Sequence, residues 1–500
     1  LELFRKSAVD AIIGAAIAVV CLLLYVASAS PLPGAWDTAE MQSVPYLLGI
    51  AHPTGFPLYT LLGYAFSHVM TAGTPAYRID VFGAVLMSLA LAMLYAVMRA
   101  LSIPALCALP ATLWLATTDI VWQHGSRSEV HNLAFLFSLG VLLATIVFVR
   151  TGQRRAFYAG AGAFAAGIAT HPLAVLTVPA LLVAMFLRRK DLDIRTLLTG
   201  ALVAASGLTA YACLPLRSAY IVARGLDPTI GLSGLNGALF INYGDVRVPA
   251  NFARYIAGED FGAGGTLASI VDVTAWQGHI WTFLTWIDGS FGAYAIVAFV
   301  LGAAAMLRAN RRLTAVIALF CLPVVPFIVA YTIEGDPDRY RFLPYAAVAI
   351  ALGASGGSVL GARGQRWRLA LIAFFLAVSC AVQFQAERWR FGHVDGGPAE
   401  LTAWTATAVP PHAIIVTRWL DATALGYGAM VDGTLAGRVV VAGWWDDYLA
   451  DYCQWSQRYP IYVMIDGKAN GEFIRVAKRD ASHTVYRFVP ARGCRTSSLH

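Results

Sequence analysis

The chain has 500 residues, 58% of them hydrophobic and only 13% charged, with 36 Lys+Arg against 29 Asp+Glu for a net charge of +7. Soluble domains carry about 25% charged residues, so there are too few charges here to cover a water-facing surface, and the mean hydropathy of +0.64 agrees. Disorder, collagen and disulfide-stapled secreted scaffolds are excluded too, by the apolar content and by the presence of only 7 Cys, which leaves an integral membrane protein.

The first apolar run, 8–29, follows Arg5 and Lys6. Its end, Ala27-Ser28-Ala29, resembles a cleavage site, but the run exceeds the roughly 7–15 residues of a signal-peptide core and reads as an anchor. Further spans are predicted at 79–98, 103–120, 131–149, 156–170, 172–187, 196–216, 290–307, 313–331, 342–360 and 369–386. That makes about eleven crossings, at roughly 20 residues each. Gly353, Gly357 and Gly361 form a small-residue ladder suited to close helix packing.

With the N-terminus in the cytoplasm, the basic clusters fall on one side, as the positive-inside rule requires. They are Arg99; Arg150, Arg154 and Arg155; Arg188, Arg189 and Lys190; Arg308, Arg311 and Arg312; and Arg363, Arg366 and Arg368. The excess of positive charge therefore indicates cytoplasmic loops and membrane lipid, not nucleic acid. The hydrophilic connections 30–78 and 217–289 fall outside, as does the chain beyond about 387. Residues 1–390 read as a transmembrane domain and 395–500 as a small extracytoplasmic α/β domain, with β-rich runs at 413–417, 439–442, 461–465 and 484–489 and a helix at 448–457. Asp446 or Asp447 is expected to cap that helix, and Cys453 and Cys494 are both placed where a disulfide is allowed. Scarce Lys, abundant Ala and Gly, and the lack of an Asn-x-Ser/Thr sequon fit a bacterial inner membrane.

Ionisable residues at a membrane boundary are costly and call for a reason. With the cytoplasmic clusters set aside, the remainder fall on the outer side: Asp37, Glu40, His52, Glu129, His131, His171, Arg217, Asp245, Glu259, Asp260, Asp336, Asp338, Arg339 and Arg341. Asp37 and Glu40 in Trp36-Asp37-Thr38-Ala39-Glu40 share a helix face at i,i+3. They could take a proton from a hydroxyl or bind a metal, or simply place acid at the positive end of a helix. Gly49-Ile50-Ala51-His52-Pro53-Thr54-Gly55-Phe56-Pro57 is a forced turn into an interfacial helix near 57–70. Asp336-Pro337-Asp338-Arg339-Tyr340-Arg341 could bind phosphate through its arginines or form an internal Arg–Asp network. No Walker loop, GxGxxG, CxxC pair or HExxH is present.

In order along the chain, these segments resemble the GT-C membrane glycosyltransferase family that includes the eukaryotic transmembrane protein O-mannosyltransferase acting on IPT domains. Trp36 to Glu40 is similar to the family's Gly-Asp-Ser-x-Glu. Gly49 to Tyr59 is similar to Gly-x-x-His-Pro-Pro-Gly-Tyr-Pro-Leu-Tyr, with Thr54 in place of the second Pro and Phe56 in place of Tyr. Trp122 to Val130, Leu214 to Arg217, Asn242 to Asp245 and Asp338 to Pro344 are similar to its later elements, so the resemblance covers about 30–345 and not the tail. It implies a GT-C-like fold and transfer of a hexose, mannose favoured, from a polyprenyl-phosphate donor to a protein or glycan hydroxyl, inverting, with Asp37 as base. Glu40 would assist. Arg341, Arg217, Arg339, His52 and His171 are the candidates for the donor phosphate, and Glu129, His131 and Asp245 for orienting the acceptor. No cofactor is required; a divalent cation is allowed but not demanded by the spacing. The rival readings are a lipid or solute transporter or flippase, which would stagger its charges through the bilayer, and a non-catalytic assembly subunit of the same fold.

Overall fold

The computed structural model describes residues 8–259, 274, 276–330, 337–357, 366–388, 395–469 and 472–490. It is made of two compact units. One comprises Leu1–Ala29, Val81–Ala210 and Phe261–His393; the other comprises Ser30–Asp80, Tyr211–Asp260 and Val394–His500.

Among the described residues, six helices are long and apolar enough to cross a membrane: Ala8–Ser28, Pro75–Ala100, Val130–Thr151, Ile194–Ala223, Ala293–Ala330 and Ala370–Glu387. A seventh is counted if Ala105–Ala116 and Asp119–Gly125, bent by 71°, form one span. The chain is a multi-pass membrane protein, but the predicted count of eleven is not confirmed. The differences have local causes. The 103–120 run breaks at Thr117 and Thr118. The 156–170 run is a helix of only 17 residues, Arg154–Thr170. The 172–187 run opens as a 3-10 turn behind Pro172 and becomes α-helical only over Val178–Leu187. The 290–307 and 313–331 runs meet at Asn310, whose φ of −160° and ψ of 93° interrupt helix Ala293–Cys321. There the Leu313 N–H donates to Asn310 Oδ1 at 3.1 Å and caps the second half. Gly361 of the glycine ladder lies outside the described residues. Gly353 lies against Ile103 and Met98, and a close helix approach is made at Gly302, where a Cβ would stand 1.8 Å from the Ala351 carbonyl oxygen.

The core of the first unit is apolar and aromatic, with Leu91, Trp114, Leu139, Phe320 and Tyr345 fully buried. Leu23, Leu202 and Phe374 are exposed on these helices, as lipid-facing side chains should be.

The second unit holds a five-stranded sheet: β1 Ile414–Thr417, β2 Val439–Ala442, β3 Ile461–Ile465, β4 Phe473–Lys478 and β5 Thr484–Phe488, in the order β2-β1-β3-β5-β4. β2, β1 and β3 are parallel, and β5 is antiparallel to both β3 and β4. The three parallel strands are continuous β-branched and apolar runs, as strands covered on both faces require. Edge strand β4 escaped the sequence reading because its central side chains, Ile474, Arg475 and Val476, are exposed and carry no clean alternation. Helix Trp419–Met430 crosses from β1 to β2 and was also unforeseen. The helix predicted at 448–457 is present as Leu449–Trp455 without a side-chain cap. The capping expected of Asp446 or Asp447 is corrected: Asp447 Oδ2 accepts from the Trp444 N–H at 2.9 Å and closes the preceding turn instead. Cys453 is disulfide-bonded, and Cys494, its expected partner, lies outside the described residues.

Candidate active site

In the second unit, helix Asp37–Leu47 carries Asp37 and Glu40 in its first turn, where the helix dipole favours negative charge. The helix ends at Leu48 in the left-handed conformation, and the chain then runs backbone against backbone: the Ile50 N–H donates to the Ile241 carbonyl at 3.1 Å. At Gly49 a Cβ would fall 1.8 Å from the Phe240 oxygen, so only glycine fits. The turn returns His52 to the helix. Its backbone N–H donates to Glu40 Oε1 at 2.7 Å, and its ring Nδ1 donates to Glu40 Oε2. Glu40 is fully buried, so its charge is compensated by two donors from one residue, as a buried carboxylate needs. Tyr255, on helix Pro249–Ala257, donates from its hydroxyl to the Ala51 carbonyl at 2.5 Å and pins the turn. Burial, and then the nearby Glu40 charge, hold the Tyr255 phenol well above its usual range.

Asp37 Oδ1 accepts from the indole N–H of Trp419 at 2.9 Å. The Trp419 ring meets His52 edge-on at 5.8 Å and Tyr243 at 6.2 Å. One ligand atom from each of Asp37, Glu40 and His52 lies within 4.8 Å of the others, a spacing that a metal ion could bridge.

Arg217 and Asp245 also lie in this unit, with other partners. Arg217 donates from Nε to the Leu48 carbonyl at 2.6 Å and from Nη2 to Leu47 at 3.2 Å. It thus places a cation on the carbonyl end of the helix that carries Asp37. Asp245 is gripped by Arg247 through Nε at 2.7 Å and Nη2 at 2.8 Å. That pairing outweighs burial and holds its carboxyl below the ordinary range. We expect Arg217→Met to lower the thermal stability of the purified protein by about 1.5–3 kcal/mol, the worth of hydrogen bonds from a charged donor. An unchanged unfolding midpoint would refute this capping role.

In the first unit a second group forms around Glu129, which precedes helix Val130–Thr151 and caps it by accepting from the His131 N–H at 3.1 Å. Glu129 is buried, and Oε1 also takes the His131 ring Nδ1 at 2.6 Å. Arg339 Nη1 stands 3.7 Å from Oε2 and His124 Nδ1 3.8 Å from it. Burial pushes the Glu129 carboxyl up, but Arg339, His131 and His124 together overcome it and hold the group well below the usual range. The His171 ring packs at a tilt of 46° against His131, centroids 4.7 Å apart, and accepts the Leu173 N–H on Nδ1 at 3.2 Å. Tyr340 closes edge-on over His131 at 4.7 Å. Arg341 pairs with Asp338 at 2.5 Å and lies 4.5 Å over the Trp286 ring, while its buried Nε makes no hydrogen bond among the described residues. Asp260 and Asp336 lie outside the described residues.

Of the predicted residues, the structure thus gathers Asp37, Glu40 and His52 in one group and Glu129, His131, His171 and Arg339 in another. Two participants were missed. His124 had a weak signal, its place in the polar run Trp122 to His131. Trp419 had none, since nothing local separates it from other tryptophans of the chain.

Residues 37–194 match the model of the protein O-mannosyl-transferase TMEM260 N-terminal domain. The protein O-mannosyl-transferase TMEM260 of Mus musculus is 33% identical over 205 residues, which are 39% of this chain and 28% of that protein. The Dictyostelium discoideum protein O-mannosyl-transferase tmem260 is 25% identical over 206 residues, 38% of this chain and 25% of that protein. The chain therefore spans only about a quarter of the length of these curated relatives. Among solved structures, ArnT from Cupriavidus metallidurans in the apo state matches with a TM-score of 0.59 at 13% identity, covering 97% of this chain and 99% of that one. The same protein bound to undecaprenyl phosphate gives 0.58 at 12% identity with the same coverage. The fold is GT-C-like, similar to that of ArnT, and the resemblance read from the motifs is borne out.

Proposed function

We propose that the chain is a glycosyltransferase that moves a hexose, mannose favoured, from a polyprenyl-phosphate donor to an acceptor hydroxyl, with Asp37 as the base. The observation that carries this reading is the Asp37 carboxylate beside the Glu40–His52 pair, within the segment that matches the O-mannosyl-transferase domain. The name of those relatives supports mannose and a protein acceptor, and the undecaprenyl phosphate of the ArnT structure supports a lipid-linked donor. We further propose that the protein lies in a bacterial inner membrane with its N-terminus cytoplasmic and residues 395–500 outside.

In the proposed step the acceptor oxygen attacks the anomeric carbon from the face opposite the phosphate. The new C–O bond forms as the carbon–oxygen bond to phosphate breaks. The hydroxyl proton passes to Asp37, the polyprenyl phosphate leaves with the bonding electrons, and the configuration inverts. The charge growing on that phosphate calls for fixed cations. Arg341 is the favoured one, because its buried Nε makes no hydrogen bond among the described residues while Asp338 and Trp286 fix the guanidinium. Arg339, His171 and His52 are further candidates. Arg217 is a weaker one, with two donors already on backbone carbonyls. Glu129 and His131 remain proposed acceptor contacts, whereas Asp245 is largely taken up by Arg247.

No metal is required in this scheme. Both Glu40 oxygens accept from His52, and Asp37 Oδ1 accepts from Trp419. The test is transfer from a panel of radiolabelled polyprenyl-phosphate sugars to membrane acceptors, with and without a chelator. We expect label from the mannosyl donor to appear in acceptor, unaffected by chelation. Transfer from none of the donors would defeat the proposal, and transfer lost on chelation and restored by a divalent cation would defeat its metal-free form.

A further inference from the structure

We infer that Trp419 is a positioning residue for Asp37: its indole N–H holds one carboxylate oxygen and so fixes the rotamer in which Asp37 meets the acceptor hydroxyl. The inference rests on the reading of Asp37 as the base.

Trp419 opens helix Trp419–Met430, far in sequence from the segment that carries the O-mannosyl-transferase match. Its Nε1 donates to Asp37 Oδ1 at 2.9 Å across 382 residues of chain. The helix that delivers it is held firmly. Beside Trp419, Arg418 pairs with Asp466 at 2.8 Å, and His483 Nε2 stands 3.4 Å from the buried Asp421. The Ala76 N–H donates to the Tyr427 hydroxyl at 3.2 Å. At Gly426 a Cβ would come within 2.6 Å of the Phe240 ring, so the helix lies too close there for any larger residue. A ring anchored at this helix start has little freedom, and its contacts with His52 and Tyr243 hold it upright beside the carboxylate.

A donor placed on one oxygen of a carboxylate does two things. It selects the side-chain rotamer, and it stabilises the charged form, so the group stays ionised to lower pH. Trp is suited to this because it donates and cannot accept. It therefore never competes for the proton that the base receives.

The test uses the full-length protein in lipid nanodiscs. Trp419→Phe keeps a ring and removes the N–H. We expect kcat to fall on the order of 10-fold, the worth of a hydrogen bond to a charged group. The donor KM should be unchanged, and the acid limb of the pH–rate profile should move to higher pH. A merely structural role would not move that limb. Wild-type kcat and an unmoved limb in Trp419→Phe, with Asp37→Asn inactive, would overturn the inference and leave the base intact. An active Asp37→Asn would instead overturn the reading on which it rests. Should Trp419→Phe fail to fold, 5-fluorotryptophan labelling decides on the native residue. The Trp419 resonance should titrate with the acid limb and lose that titration in Asp37→Asn; the same titration in both proteins would overturn the inference.

Discussion

With Asp37 as the proposed base, we expect Asp37→Asn to lower sugar transfer by about 10²–10⁴-fold, the contribution of a positioned proton acceptor, while folded yield and donor binding stay at the level of the unaltered protein. The substitution is close to a pure test of basicity. Asn has the shape of Asp, and its side-chain oxygen can still accept from the Trp419 N–H that now meets Asp37 Oδ1. Its place in the first turn of helix Asp37–Leu47 is not a packing position, since Ala39 to Pro45 supply the buried side chains of that helix. What disappears is the carboxylate as an acceptor of the hydroxyl proton. Initial rates of transfer, together with equilibrium binding of a non-transferable donor analogue, check the result. Near-normal turnover in Asp37→Asn would remove Asp37 from the mechanism. Normal binding with lost turnover separates a chemical role from a structural one.

Glu129→Ala destabilises the protein by about 3–5 kcal/mol, the cost of leaving a buried charge uncompensated. Glu129 is the buried anion against which Arg339, His131 and His124 are arranged, and it also caps helix Val130–Thr151. Its removal takes away the buried anion that Arg339 and the histidines face and leaves a helix start without its side-chain acceptor. The pH dependence has a definite sign. Arg339 and the histidines overcome burial and depress the Glu129 carboxyl in the folded protein. The stabilisation is therefore fully present above the unfolded value of about 4.3, and it is lost as pH falls through the depressed folded value. Thermal unfolding of both proteins in the same nanodiscs should show a constant gap from neutral pH down to that range and a narrowing gap below it. A gap that stays open at the acid end, or one that is absent at neutral pH, would contradict the network described.

Much of the fold was legible in the sequence for a simple reason. Apolar runs of spanning length and β-branched runs of strand length are local patterns, and bilayer or core burial enforces them wherever they occur. Parts of the chain departed from that reading where a local pattern was ambiguous. Thr117 and Thr118 bend one predicted span, Pro172 shortens another, and Asn310 marks a helix join. Strand β4 lacks a buried face, and Asp447 closes a turn where a cap was expected. In each case the deciding partner was a backbone group or a neighbouring element that the sequence does not name.

The candidate site divides in the same way. Asp37, Glu40 and His52 were legible because they sit in one short stretch whose prolines and glycines force a turn, and that turn brings His52 back onto Glu40. Arg217 was legible as a residue but not in its surroundings, since its grip on the Leu47 and Leu48 carbonyls depends on where a later helix packs. The sequence by itself determined that this is a membrane protein and which segments carry ionisable groups at its boundaries. Only the tertiary structure decided which groups meet: Arg339 with Glu129 and, 382 residues apart, Trp419 with Asp37. The physical reason is that a spanning helix is specified by neighbours in sequence, whereas a hydrogen bond needs two atoms within about 3 Å, and that distance is fixed by the packing of whole elements.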